Sequence, residues 1–309
     1  MMAEQIDKKA RIEWIDALRG FAILLVVMGH IYDKGFRIEG TSFNNFYNGF
    51  HMPLFFFISG CFFKSCDIKN FCFKKLRRLW QPILMLEIVP GIMMGNFDNL
   101  HVGWFPPTLI TVTILFYLVF NISVKVKPDN PIVLGLFCLA IWGFLDFMYI
   151  RGINFPFFLS ALKMFPFFTL GYLWMKYPVI HKLIFNKYVL GGSLIGYMVF
   201  MYNFAWNHSI CIVAIFAIII LINYFKDIKN KHLLKYFSLL GTCSFEIYYF
   251  HMFFVPDMHN LTLYIKNNYA FVFALMITLC LAVVIIQLVL FIIKMLKQSC
   301  WLHSLLFGK

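Results

Sequence analysis

Charge is scarce in this chain. Only 13% of its 309 residues are Asp, Glu, Lys or Arg, just 14 are acidic, and 61% are hydrophobic. A soluble globule of this length needs more polar surface, so the composition excludes a water-coated protein and requires lipid over much of the exterior. Eight cysteines occur without a Cys-x-x-Cys pair or a neighbouring histidine pair at metal-ligand spacing. That excludes a disulfide framework and predicts no metal site; Cys61, Cys66, Cys72 and most of the others read as small apolar packing residues. There is no repeat of fixed period, no low-complexity linker, no appended soluble domain and no readable DNA- or RNA-binding motif. The net charge of +13 is therefore loop charge, and no nucleic-acid partner is expected. A small-residue cleavage site is also missing after the first apolar run, which continues through Met28 to His30, so that run is expected to stay as a membrane span.

What the chain does have is apolar stretches of membrane-spanning length. Ten candidate helices lie near 14–34, 47–64, 80–96, 104–123, 131–149, 156–175, 188–204, 209–225, 241–257 and 270–293. Lys and Arg fall in alternate gaps, 21 on one side against four on the other (Lys34, Arg37, Arg151 and Lys266), with Arg19 and Lys163 inside spans. By the positive-inside rule both termini are cytoplasmic, which agrees with an even number of spans. The expectation is an all-α, multi-pass protein of the plasma membrane with one embedded domain over 1–309, a short cytoplasmic segment 1–12 and an interfacial tail 294–309 carrying Trp301, Leu302, Leu305, Leu306 and Phe307.

The first span opens Arg11-Ile-Glu-Trp-Ile-Asp16-Ala-Leu-Arg19-Gly20 and ends Met28-Gly-His30. Eleven helical steps of about 100° bring Arg19 and His30 to nearly one angle, roughly 16 Å apart along the axis. Ionisable groups at membrane depth are costly unless they face a protein interior or a wet cavity, so His30 is the residue to explain. Each residue has an ordinary reading too: Arg11 and Arg19 as positive-inside anchors, Trp14 as an interfacial aromatic, His30 as a hydrogen-bonded residue near the far interface. Their combination favours chemistry, because Asp16 with Arg19 and His30 with Asp33 each have the i, i+3 spacing of helical partners. A carboxylate beside an imidazole fixes its tautomer and raises its basicity.

Four further places carry polar groups. His51-Met-Pro-Leu-Phe-Phe-Phe-Ile-Ser59-Gly60 opens the second span on the side His30 reaches, where His51 is either a second imidazole of one cavity or an interfacial helix start, and Ser59-Gly60 suits close helix packing. Lys74-Lys75-Leu-Arg77-Arg78-Leu-Trp80-Gln-Pro82 concentrates cations before the third span, as a topogenic signal, as a contact for anionic membrane lipids, or as a grip on the phosphates of a nucleotide-containing donor. Ser244, Tyr248 and His251 fall at i, i+4 and i+7, a polar stripe that should face the bundle interior. Glu246 lies off that stripe and is given no role by it, and Glu87, Asp146, Lys163 and Gln287 are further polar groups at depth, ordinarily helix-to-helix contacts.

Taken in order, these segments resemble the membrane-bound acyltransferase 3 family. An arginine, ten residues and a histidine form its signature, here Arg19 and His30; His51–Gly60, the basic run 74–82, Trp104-Phe105, Phe167-Phe168-Thr-Leu-Gly171-Tyr172 and Gly241–His251 are similar to its other landmarks. The closest flavour is that of small sugar O-acetyltransferases related to fucose 4-O-acetylase, without an extracytoplasmic esterase-like domain. The resemblance implies ten membrane helices, acetyl-CoA or another acyl-CoA as donor, and a hydroxyl on a surface glycan or its lipid-linked precursor as acceptor. It makes His30 the catalytic histidine, with Arg19, Asp33 and Asp16 around it. Arg77, Arg78 and Lys75 fall on the donor's phosphates, and His51, Trp104, Ser244, Tyr248 and His251 on the acceptor, with no metal. His30 acting as general base and His30 carrying the acyl group are equally compatible with these residues. A reading of another class, a transporter or lipid-linked-sugar flippase whose path is lined by Arg19, His30, Asp146, Lys163 and Glu246, lacks the paired broken helices and internal symmetry expected of transport.

Overall fold

The computed structural model describes residues 12–38, 46, 49–88, 104–153, 157–203, 206–264 and 270–308. All regular structure among the described residues is helical. In chain order the helices are α1 (Glu13–His30), which runs on into a π-helical turn at Ile31–Gly35; α2 (His51–Cys61); a single turn at Ile68–Asn70; α3 (Arg77–Ile83), between π-helical turns at Phe71–Leu76 and Leu84–Ile88; α4 (Phe105–Val126); α5 (Pro131–Ile150); α6 (Phe158–Lys176); and α7 (Pro178–Ile184). They continue with α8 (Lys187–Asn203), α9 (Trp206–Lys226), α10 (Lys231–Thr242), α11 (Ser244–Phe250) with a 3-10 turn at His251–Phe254, α12 (His259–Tyr264), α13 (Ala270–Gln298) and α14 (Cys300–Phe307).

Five helices among the described residues are long and apolar enough to cross a bilayer: Glu13–Gly35, Phe105–Val126, Pro131–Ile150, Phe158–Lys176 and Val272–Gln298. Each coincides with one of the ten expected spans. The second expected span yields an 11-residue helix, His51–Cys61, roughly 16 Å long. The third is helical from Arg77 to Ile88, and its remainder lies outside the described residues. The ninth differs most. Helix α10 begins at Lys231, inside the basic gap, and the helix breaks at Cys243 (φ −104°, ψ 9°), so 241–257 is not one continuous helix. Charged and apolar positions alternate helically in Lys231-His-Leu-Leu-Lys235, which is why a charge count reads a loop where an amphipathic helix starts.

Local chemistry accounts for the helix ends. The Asn130 side chain accepts from the Ile132 and Val133 amides ahead of Pro131, and Asn230 does the same for His232 and Leu233, satisfying amides that lack an intrahelical partner. Ser299 caps α14, and Gly308 closes it in the left-handed conformation (φ 63°).

The described chain divides into two compact units, Met1–His51 with Lys187–Leu290, and Met52–Asn186 with Phe291–Lys309. In the first, α1 lies along α10 and also touches α9 and α11, while α8 and α9 form an antiparallel pair. The α1–α10 crossing is a backbone contact. A Cβ on Gly20 would coincide with the Phe237 carbonyl, and one on Gly241 with that of Asp16. Phe21 packs on Phe225 and Phe237 at ring separations of 5.5 and 6.1 Å beside this crossing.

The second unit repeats the device. A Cβ on Gly60 of α2 would meet the Phe168 carbonyl of α6, and one on Gly171 of α6 that of Phe57. Around it Phe63, Phe116, Phe120, Phe168 and Tyr172 form an aromatic core with ring separations of 4.9 to 6.4 Å, mostly edge to face. Such pairs contribute about 0.5–1.5 kcal/mol each beyond their buried area. Ser59 bonds its own helix, Oγ donating to the Phe55 carbonyl at 2.8 Å, and Gly60 makes the close approach.

Candidate functional site around His30

Helix α1 carries Asp16, Arg19 and His30 on one uninterrupted run. Asp16 is buried, and Arg19 and His30 are half-buried. Residues 15–18, 20, 22, 23 and 25–29 are buried, so the helix holding these groups is wrapped by protein over most of its circumference rather than by lipid. Directly after His30 the helix widens into the π-helical turn that contains the half-buried Asp33. The i, i+3 spacing of His30 and Asp33 predicts α-helical register between them, and the wider turn replaces it. Turns of this kind are inserted at a cost and gather at functional positions.

The other wall comes from the break after α10. Because α10 stops at Thr242 and α11 restarts at Ser244, the chain turns beside α1 and presents Ser244 (buried), Tyr248 (half-buried) and then His251, which is 0% exposed. His251 opens the 3-10 turn and lies against His30, with ring centroids 5.2 Å apart and planes inclined by 29°. The Tyr248 ring follows at 6.1 Å. Nδ1 of His251 is 2.9 Å from the Ile247 carbonyl. A carbonyl only accepts, so Nδ1 carries the hydrogen and the ring is held as the tautomer whose Nε2 is an acceptor. That Nε2 is buried and has no hydrogen-bond partner among the described residues. Glu246, on the same helix, is buried at 1% exposure.

Beyond the two histidines the chain exits are tied together. The Met258 amide donates to the Gly35 carbonyl at 2.8 Å, Thr262 Oγ1 donates to the Phe36 carbonyl at 2.8 Å, and Arg37, in the left-handed region (φ 56°), pairs with Asp257 at 2.7 Å. These contacts limit how far the ends of α1 and α11 separate. The sequence puts His251 on an inward-facing polar stripe and offers His51 as a second imidazole beside His30. The structure brings His251 to it, and His51 is buried at the head of α2.

In the second unit the basic segment is ordered by a glutamine. Arg77 Nε donates to Gln81 Oε1 at 2.8 Å, and the buried Gln81 donates through Nε2 to the carbonyls of Ser304 (2.9 Å) and Leu305 (2.5 Å), holding α14 against α3. Arg77 and Arg78 are exposed. Only the backbone of Lys75 is among the described residues. Trp104, 39% exposed, stands ahead of α4, where its carbonyl accepts from Thr108 Oγ1. A cleft of about 480 Å³ lies in this unit between Cys66, Tyr117, Asn121, Asp129 and Lys176, and Lys176 pairs there with Asp129 at 2.5 Å. Sequence reading missed it, because its lining is drawn from a loop, two helices and a turn far apart in the chain.

A family model described as an acyltransferase domain, that of acyltransferase 3, matches residues 12–287. The chain belongs to the acyltransferase 3 family. No curated protein and no solved structure matched the chain. The match spans α1 through most of α13 and so includes Arg19, His30, the basic segment and Ser244–His251. Membership together with the five apolar helices identifies a multi-pass membrane acyltransferase.

Proposed function

We propose that this acyltransferase is an integral membrane O-acyltransferase that moves an acyl group, acetyl in the first instance, from acyl-CoA to a hydroxyl of a cell-surface glycan or its lipid-linked precursor. The observation that carries this reading is the His30–His251 pair in a protein-lined setting, on a chain whose family transfers acyl groups. In the proposed reaction His30 takes the proton of the acceptor hydroxyl as its oxygen bonds to the thioester carbonyl carbon. The C–S bond then breaks, and CoA leaves as a thiolate that recovers the proton from the imidazolium. Arg19, with Asp16 and Asp33, holds the charge balance around α1 and offers a cation to the developing oxyanion. Arg77 keeps four N–H donors beyond the one bound to Gln81 and, with Arg78 and Lys75, is assigned to the phosphates of CoA, which guanidinium forks match in bidentate fashion. Ser244, Tyr248, His51 and Trp104 are assigned to the acceptor. The setting is a bacterial inner membrane, with ten spans and both termini cytoplasmic, as the 21-to-four distribution of Lys and Arg supports.

The test is chemical. Mass spectrometry of surface glycans from cells with and without the gene should differ by one acetyl or longer acyl group on a sugar. Identical glycans, together with no release of CoA from acetyl-CoA by purified protein, would sink the reading.

A further inference from the structure

A buried acceptor with no donor is destabilising by about 1–3 kcal/mol, and such an atom in a folded core calls for an explanation. His251 Nε2 is one. The Nδ1–H bond to the Ile247 carbonyl prevents the ring from presenting a hydrogen on Nε2, and the 3-10 turn beginning at His251 fixes where the ring starts from. The ring it lies against is His30, on a helix whose exit is tied down by the bond from the Met258 amide to the Gly35 carbonyl. At a centroid separation of 5.2 Å with planes 29° apart the two rings are stacked, so a hydrogen bond to Nε2 forms when the half-buried His30 ring turns an N–H toward that edge. Catalytic hydrogen bonds are often long in a resting enzyme and tighten only when substrate is bound.

We propose that His251 is the positioning residue of His30: its tautomer-locked Nε2 accepts the second N–H of the His30 imidazolium while the other nitrogen holds the proton taken from the acceptor hydroxyl. Neutral His30 carries one N–H, so directing that hydrogen at His251 leaves the opposite nitrogen as the base. Once protonated, the imidazolium has two N–H groups, and His251 receives one of them. The backbone carbonyl of Ile247, the imidazole of His251 and the imidazole of His30 form a relay of orientation in which no proton leaves His251. His251 acts through His30 and touches neither donor nor acceptor. The assignment rests on the acyl-transfer reading above.

Three variants separate an acceptor from a packing role. His251→Phe keeps the ring volume and removes the acceptor; His251→Gln offers an amide oxygen near the Nε2 position; His251→Asn keeps a donor near the Ile247 carbonyl and withdraws the acceptor. CoA release from acetyl-CoA is followed with purified full-length protein and a mixture of methyl glycosides as acceptors, with water as the background acceptor. The expected result is a fall in kcat of about a hundredfold for Phe and Asn, at least tenfold more activity in Gln than in Phe, and a KM for acetyl-CoA unchanged within about twofold, the signature of a group acting on the chemical step. Activity in Phe equal to or above that in Gln would assign His251 to packing and overturn the proposal while the enzyme reading stands. Should the Phe variant not fold, the Gln and Asn pair decides on the same ranking. A wild-type protein that releases no CoA removes the acyl-CoA reading first and this assignment with it.

Discussion

Replacing Gly241 with alanine adds one methyl group at the point where α1 and α10 touch. Built onto the native backbone, that Cβ overlaps the Asp16 carbonyl and comes within 3.0 Å of the Gly20 amide nitrogen. Both are backbone groups of a buried helix, so neither can rotate away, and the helices must separate. Overpacking of this kind typically destabilises by about 1–3 kcal/mol. The functional effect should be larger, because α10 leads through the Cys243 break to His251 while α1 carries His30. A misplacement of about 1 Å between reacting groups lowers rate by roughly a hundredfold. Gly192→Ala is the control, since nothing among the described residues lies within 4 Å of a Cβ at that helical position, and there alanine should stabilise by about 0.4–1 kcal/mol through the unfolded chain. The assay pairs thermal unfolding of detergent-purified protein with kcat for CoA release from acetyl-CoA. Gly241→Ala with wild-type melting and wild-type kcat would refute the claim that this crossing sets the site, and a Gly192→Ala loss as large as that at Gly241 would refute the steric argument.

Other perturbations have smaller or more local outcomes. Arg77→Ala combined with Arg78→Ala should raise the KM for acyl-CoA more than that for the acceptor, measured by steady-state kinetics; an unchanged donor KM returns this segment to a topogenic role. Gln81→Leu removes the donor to the Ser304 and Leu305 carbonyls and should cost about 1–3 kcal/mol, read as faster proteolysis within α14 than in the wild type. Arg37→Ala breaks an ion pair whose members are more than half exposed; exposed pairs are worth about 0–1 kcal/mol, so melting temperature and kcat should scarcely change, and a large loss would give that pair a role the account does not.

What the sequence made legible follows the range of the signals involved. The shared face of Arg19 and His30 was readable because it depends on helical periodicity alone, and α1 is continuous between them. The approach at Gly60 was readable because small residues in an apolar span announce close packing. The π-helical turn after His30 was not, since Ile31-Tyr-Asp-Lys-Gly35 is composed like an ordinary helix end. Nor was the break at Cys243, which no proline or left-handed glycine announces and which falls where α10 packs along α1. The approach of the His251 ring to His30 depends on tertiary path. So does the use of Gln81 as the link between Arg77 and α14, whose partners lie more than 220 positions away.

The central claim is that His30 supplies the imidazole for acyl transfer. The most direct measurement is acyl transfer by His30→Ala in membranes, alongside a check that the variant inserts and accumulates as the wild type does. Removing a polar side chain from an apolar span should not impair insertion. The expected result is wild-type levels of inserted protein with transfer from acetyl-CoA reduced to background. Full transfer by that variant would contradict it.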